Sequence, residues 1–124
     1  MQMRPFILLV GAEAARCMSL AASADPVAVE VPSIAAAALA LLTSQPPRLA
    51  AVVVSEDPQA GPVVDFIDWT MRLWPHLPVV VACAPGSSLR WLHRPNLHRV
   101  AHGDAERLAS VVAALVDERM PVAH

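Results

Sequence analysis

The chain contains no lysine; its nine basic residues are all arginine. Chemistry that needs an ammonium group therefore has only the N-terminus to draw on. Charge of either sign is scarce, at 16% of residues against 56% hydrophobic, which excludes a self-repelling disordered chain. Net charge is −2, so there is no basic field of the kind that attracts nucleic acid. The only cysteines, Cys17 and Cys83, give no disulfide framework and no repeated metal spacing. Reduced thiols in a cytoplasmic protein are the economical reading. No stretch is long and charge-free enough to span a bilayer, so no membrane association is expected.

What is present is a rhythm of short branched-aliphatic runs. These are Phe6-Ile7-Leu8-Leu9-Val10, Ala51-Val52-Val53-Val54, Val79-Val80-Val81-Ala82 and, more weakly, Leu97-His98-Arg99-Val100. They are too short and too β-rich for helices. At 124 residues the chain reads as one domain, 1–124, long enough to bury a core without staples. Met1 to Ala24 loosely imitates a secretory signal, with an arginine, an apolar stretch and a small-residue end. Glu13 and Arg16 interrupt the apolar run early, which favours a first strand followed by a helix.

The spacing predicts strands over 5–10, 27–31, 49–54, 79–83 and about 97–101. Val27, Val29 and Val31 alternate with Ala28 and Glu30, as in a strand at a sheet edge with one wet face. Helices are predicted over 13–24, from Ser33 as N-cap with Ile34, Ala38, Leu41 and Leu42 buried, and from Gly61-Pro62 with Val63, Phe66, Ile67, Thr70 and Trp74 inward. Asp68 and Arg72 can pair across one turn of that third helix. A last helix, capped by Asp104, buries Leu108, Val111, Val112, Leu115 and Val116. Residues 84–96 are the least regular part, with one or two helical turns expected near 88–92. The sum is an α/β domain with a parallel sheet and helices on both faces.

The segments Ile7-Leu8-Leu9-Val10-Gly11-Ala12-Glu13, Pro47-Arg48-Leu49-Ala50-Ala51-Val52-Val53-Val54-Ser55 (with Pro58 and Gly61 beyond) and Pro75-His76-Leu77-Pro78-Val79-Val80-Val81-Ala82-Cys83-Ala84 carry a resemblance. Over nearly its whole length the chain resembles a response-regulator receiver (CheY-like) domain. The resemblance implies a doubly wound, five-stranded parallel sheet in the order 2-1-3-4-5, with the site at the carboxyl ends of the strands. It also implies two acids after strand one to hold magnesium and a phosphoacceptor aspartate after strand three. A Thr or Ser after strand four and a Lys after strand five complete the pocket.

In this chain the paired acids map to Gly11 and Ala12, with Glu13 at the margin. The phosphoacceptor position falls at Val54 or Ser55, the hydroxyl position at Cys83, and the lysine position near Ala101 or His102. All are altered together. The stretch from Cys83 to His102 is also shorter than in a typical receiver, so the fourth helix is expected to be shortened or remodelled.

Other features of the sequence bear on chemistry. Cys83-Ala84-Pro85-Gly86-Ser87-Ser88-Leu89-Arg90 is similar to phosphatase loops, in which a thiolate attacks phosphorus and backbone amides with an arginine bind the oxygens. The Cys-to-Arg spacing is one residue too long, and a small buried strand-end cysteine is the blander reading. Glu13, Glu56 and Asp57 could meet around a cation, or simply be solvated loop acids. Ser55 reads most simply as a turn residue capping local amides. Trp69 and Leu73, one helical turn apart and off the main stripe, join Trp91 and Leu92 as candidate protein-contact residues. The alternative is that they cover the core's edge.

The reading is a degenerate pseudo-receiver: a signalling or scaffolding module that acts through protein partners, with a homodimer as one form. It needs no cofactor and performs no catalysis. Its rival is a small α/β anion-binding protein or phosphatase-like enzyme using Cys83 and Arg90. A locked regulator domain from a longer protein is a third form of the idea.

Overall fold

The computed structural model describes residues 6–11, 27–43, 49–56, 63–84, 86–87, 89, 92–101 and 103–119. The helix expected over 13–24 lies outside these residues. So do Ala12, Glu13, Cys17, Asp57, Arg90, Trp91 and His102.

Five strands form one sheet: β1 (Phe6–Val10), β2 (Val27–Val31), β3 (Leu49–Ser55), β4 (Val79–Cys83) and β5 (Leu97–Ala101). Their order is β2-β1-β3-β4-β5, and every pairing is parallel. This is the doubly wound order the sequence led us to expect. β3 and β4 are buried along their whole lengths, which is why they read as unbroken aliphatic runs rather than alternating ones. β2 lies at one edge, and there Val29 is 41% exposed beside an exposed Glu30, so its alternation does not separate a dry face from a wet one.

The described helices are α1 (Ile34–Thr43), α2 (Val63–Leu73) and α3 (Ala105–Arg119). α1 and α2 cover the face formed by Leu8, Val10, Val52, Val54, Val79 and Val81. α3 covers the other, packing Leu108, Val112 and Leu115 on Ile7, Leu9, Val53, Val80 and Val100. The pairing of β1 with β3 shifts register between Phe6 and Ile7, so β3 carries one extra residue there. Leu49 and Val52 consequently share the α1/α2 face, while Ala50 and Ala51 both lie on the α3 side.

Ser33 caps α1 by accepting the Ala36 N–H at 3.2 Å, and Asp104 caps α3 by accepting the Arg107 N–H at 3.1 Å. The buried stripe of α1 is Ile34, Ala37 and Leu41, not the one expected through Ala38 and Leu42. Leu42 is 62% exposed, because three- and four-residue steps from Ile34 lead to Leu41 and carry Leu42 round the helix. On α2 the inward set is Val63, Phe66, Ile67 and Thr70, with Trp74 half-buried just past its end. Val111 is half-buried on α3, and the side chain of Val116 lies outside the described set.

Between β4 and β5 no α-helix occurs among the described residues. Tight turns close there instead, from the Ser87 N–H to the Ala84 carbonyl at 3.1 Å, from the Leu92 N–H to the Leu89 carbonyl at 3.0 Å and from the Leu97 N–H to the Arg94 carbonyl at 3.2 Å. Pro85, Gly86 and Pro95 within a short connection leave little room for an uninterrupted helical hydrogen-bond ladder. Leu89 is nonetheless buried and Leu92 packs on the α1/α2-side core, so these two residues cover part of that face. The connection is also tied to α2. Asp68 pairs with Arg94, whose Nε–H donates to Oδ1 at 2.9 Å, rather than with Arg72 as the helical spacing suggested.

Candidate functional site at the carboxyl ends of the strands

In an open parallel α/β sheet, ligands bind beyond the carboxyl ends of the strands. Here β1, β3 and β4 end at Val10, Ser55 and Cys83, and the three ends are joined by short contacts. Gly11 follows β1 with φ of 96°, a left-handed conformation that side chains rarely adopt. Its N–H donates to the Val31 carbonyl at 3.0 Å, tying the end of β1 to the end of β2. A Cβ added to Gly11 would stand 2.6 Å from Ser55 Oγ. Ser55 is fully buried as the last residue of β3, and its Oγ–H donates to the Val10 carbonyl at 3.4 Å, a long bond. Ser55 is thus a strand residue packed against Gly11, not the amide-capping turn residue anticipated. Val54, the other candidate for the phosphoacceptor position, is fully buried among aliphatic side chains.

Magnesium in a receiver pocket needs several oxygen ligands. Gly11 offers no side chain, and among the described residues no three His, Cys, Asp or Glu side chains come together to hold a metal. The described donor set does not fit the ion.

Glu56, read from the sequence as a cation ligand or a solvated loop acid, is hydrogen-bonded at the strand ends instead. It follows β3 directly, and its N–H donates to the Ala82 carbonyl of β4 at 3.0 Å. Its carboxylate lies across the end of β4. Oε1 accepts the Ala84 N–H at 2.7 Å and Oε2 accepts the Ser87 hydroxyl at 2.6 Å. Ser87 Oγ in turn accepts the Leu89 N–H at 2.9 Å. The signal was present in the sequence: an acid directly after one buried strand and a Gly-Ser loop after its parallel neighbour. Only the strand order brings the two together.

Cys83 is 8% exposed, and its Sγ lies 4.0 Å from the Val81 carbonyl. Burial pushes its thiol pKa up, the nearby Glu56 carboxylate adds to that, and the Arg99 guanidinium opposes it. A nucleophilic cysteine needs the opposite shift. Beyond Cys83 a groove of about 680 Å³ runs along β5, lined by Cys83, Gly86, His98, Arg99, Arg107 and Val111 among others.

The nominated contact residues divide. Trp69 is half-buried, with its ring 6.2 Å from that of Phe66 and 5.4 Å from that of Trp74, the latter edge-on. Leu73 is 47% exposed. Leu92 is half-buried and packs, like Trp69, on the same core as α2.

No protein-family model matches the chain, and no curated protein matches it. Solved structures do. A response regulator receiver protein from Sinorhizobium medicae WSM419 superposes with a TM-score of 0.73 at 19% identity, covering 94% of this chain and 98% of that one. A sensor protein from Polaromonas sp. JS666 gives a TM-score of 0.66 at 17% identity, covering 94% and 99%. At these identities the likeness concerns the fold: the chain has a CheY-like receiver fold, matched from one end of its neighbours to the other. No helix among the described residues is long and apolar enough to cross a membrane.

Proposed function

We propose that this chain is a pseudo-receiver: a module of two-component ancestry that acts through protein contacts without aspartyl phosphorylation. One observation carries the reading. The acid position after β1 is a glycine at positive φ, and the position after Val54 is a buried serine pressed against it. Backbone and packing, as well as residue identity, therefore stand against an acid pair facing a phosphoacceptor. The absence of lysine removes the compensating cation as well. Its setting would be a cytoplasmic, bacterial signalling assembly, with homodimerisation as one mode of contact. The contact surface we favour combines α2 with the segment 84–96, two regions joined by the Asp68–Arg94 pair and by Leu92.

The phosphatase-like reading has less support, because Glu56 holds the Ala84 amide that would face a phosphate and the Cys83 thiol is shifted away from ionisation. Incubating the chain with acetyl phosphate and magnesium tests the main proposal. Intact mass should stay unchanged. An acid-stable, hydroxylamine-labile adduct of one phosphoryl group would overturn it.

A further inference from the structure

Just after β4, a backbone amide and a side-chain hydroxyl meet the two oxygens of one carboxylate. We propose that the Ala84 N–H and the Ser87 hydroxyl form an anion-binding site whose resident ligand is the chain's own Glu56 carboxylate, and that the site is closed to free carboxylate and phosphate while Glu56 is in place.

The donors converge. The Ala84 N–H and the Ser87 hydroxyl meet the two oxygens of one carboxylate at 2.7 and 2.6 Å, distances typical of charge-assisted bonds. They are held by interactions that do not involve Glu56. The Ser87 N–H donates to the Ala84 carbonyl at 3.1 Å and closes the turn. Gly86, at φ of 76°, supplies its left-handed residue. The Leu89 N–H donates to Ser87 Oγ at 2.9 Å, which leaves the hydroxyl proton free to point at the anion. Leu89 itself is buried and anchors the far side of the turn in the core.

The ligand is equally fixed. Glu56 follows a strand buried along its whole length, and its own N–H is bound to Ala82. A tethered carboxylate competes with free anions at a high effective concentration. The ends of β3 and β4 are thereby fastened without any external ligand. This holds whether or not the chain accepts a phosphoryl group, so it stands apart from the pseudo-receiver reading.

Amide hydrogen exchange on the full chain tests the proposal. Glu56→Ala should speed exchange at Ala84 by about tenfold to a hundredfold. Added acetate, compared with chloride at equal ionic strength, should slow it again by occupying the vacated receptor. Inorganic phosphate is the second arm and shows whether the receptor is wide enough for a tetrahedral anion; acetate rescue alone defines a carboxylate site, and rescue by both defines a general oxyanion site. Neither anion should move the Ala84 or Ser87 amide resonances of the wild type. Should Glu56→Ala fail to fold, Glu56→Gln serves, since it keeps the reach and loses the charge; exchange at Ala84 must still exceed wild type. Unchanged exchange in both variants, no rescue by either anion, or anion-induced shifts in the wild type would each overturn the proposal. Phosphotransfer is read separately by mass, so its outcome does not mask this one.

Discussion

The bodies of the strands and their carboxyl ends obey different rules in this molecule. Along their lengths, β1, β3 and β4 are interchangeable in kind: buried aliphatic residues between α1 and α2 on one side and α3 on the other. Any volume-conserving apolar set would serve there. At their ends each residue has a particular partner. Gly11 makes room for Ser55, Ser55 reaches Val10, and Glu56 reaches Ala84 and Ser87. Substitution in the bodies should therefore cost stability in proportion to volume, and substitution at the ends in proportion to fit.

The largest expected effect lies in the bodies. Leu9→Ala removes a fully buried side chain beneath α3 and should cost about 2–5 kcal/mol, read from denaturant unfolding. Next comes a matched pair of glycines. Gly11→Ala should cost about 1–3 kcal/mol, because the new Cβ meets both positive φ and Ser55 Oγ. Gly103→Ala shares a positive φ, of 90°, but nothing stands within 4 Å of its Cβ. It should cost less, and the difference isolates the fit at the strand ends. Equal losses would break the comparison.

A smaller effect, of opposite sign, is expected in α2. Thr70 is fully buried and its hydroxyl finds no hydrogen-bond partner among the described residues. Thr70→Val keeps the shape and removes the unpaired group, so the midpoint of unfolding should rise by about 1 kcal/mol equivalent. The smallest effect concerns pH. The Cys83 thiol is raised in the folded state, so the folded chain holds its proton more tightly than the unfolded one. Its contribution is fully present below the pKa of a free thiol and is lost as pH climbs from there towards the folded value. The alkaline limb of the stability profile should flatten in Cys83→Ala.

The fold was legible because it depends on the strand bodies. Runs such as Ala51–Val54 and Val79–Ala82 can be read without knowing what they pack against, and the caps Ser33 and Asp104 are local signals. Errors arose where neighbours decide. Leu42 looked like a core residue until the turn of α1 placed it outward, and Asp68 found Arg94 across the fold rather than Arg72 on its own helix. The site was legible mainly by omission. Gly11 and the missing lysine spoke against a phosphoryl pocket, but nothing local to Glu56 or Ser87 revealed their contact. It spans two loops that meet only once β3 and β4 are paired.

The central proposal is that the described strand ends take up neither magnesium nor a phosphoryl group. Titrating the folded chain with magnesium and beryllofluoride, a phosphoryl mimic, tests it most directly through the backbone amide resonances of Gly11, Ser55 and Ala84. The account predicts no saturable shift at any of the three. A saturable, magnesium-dependent shift at these residues would contradict it.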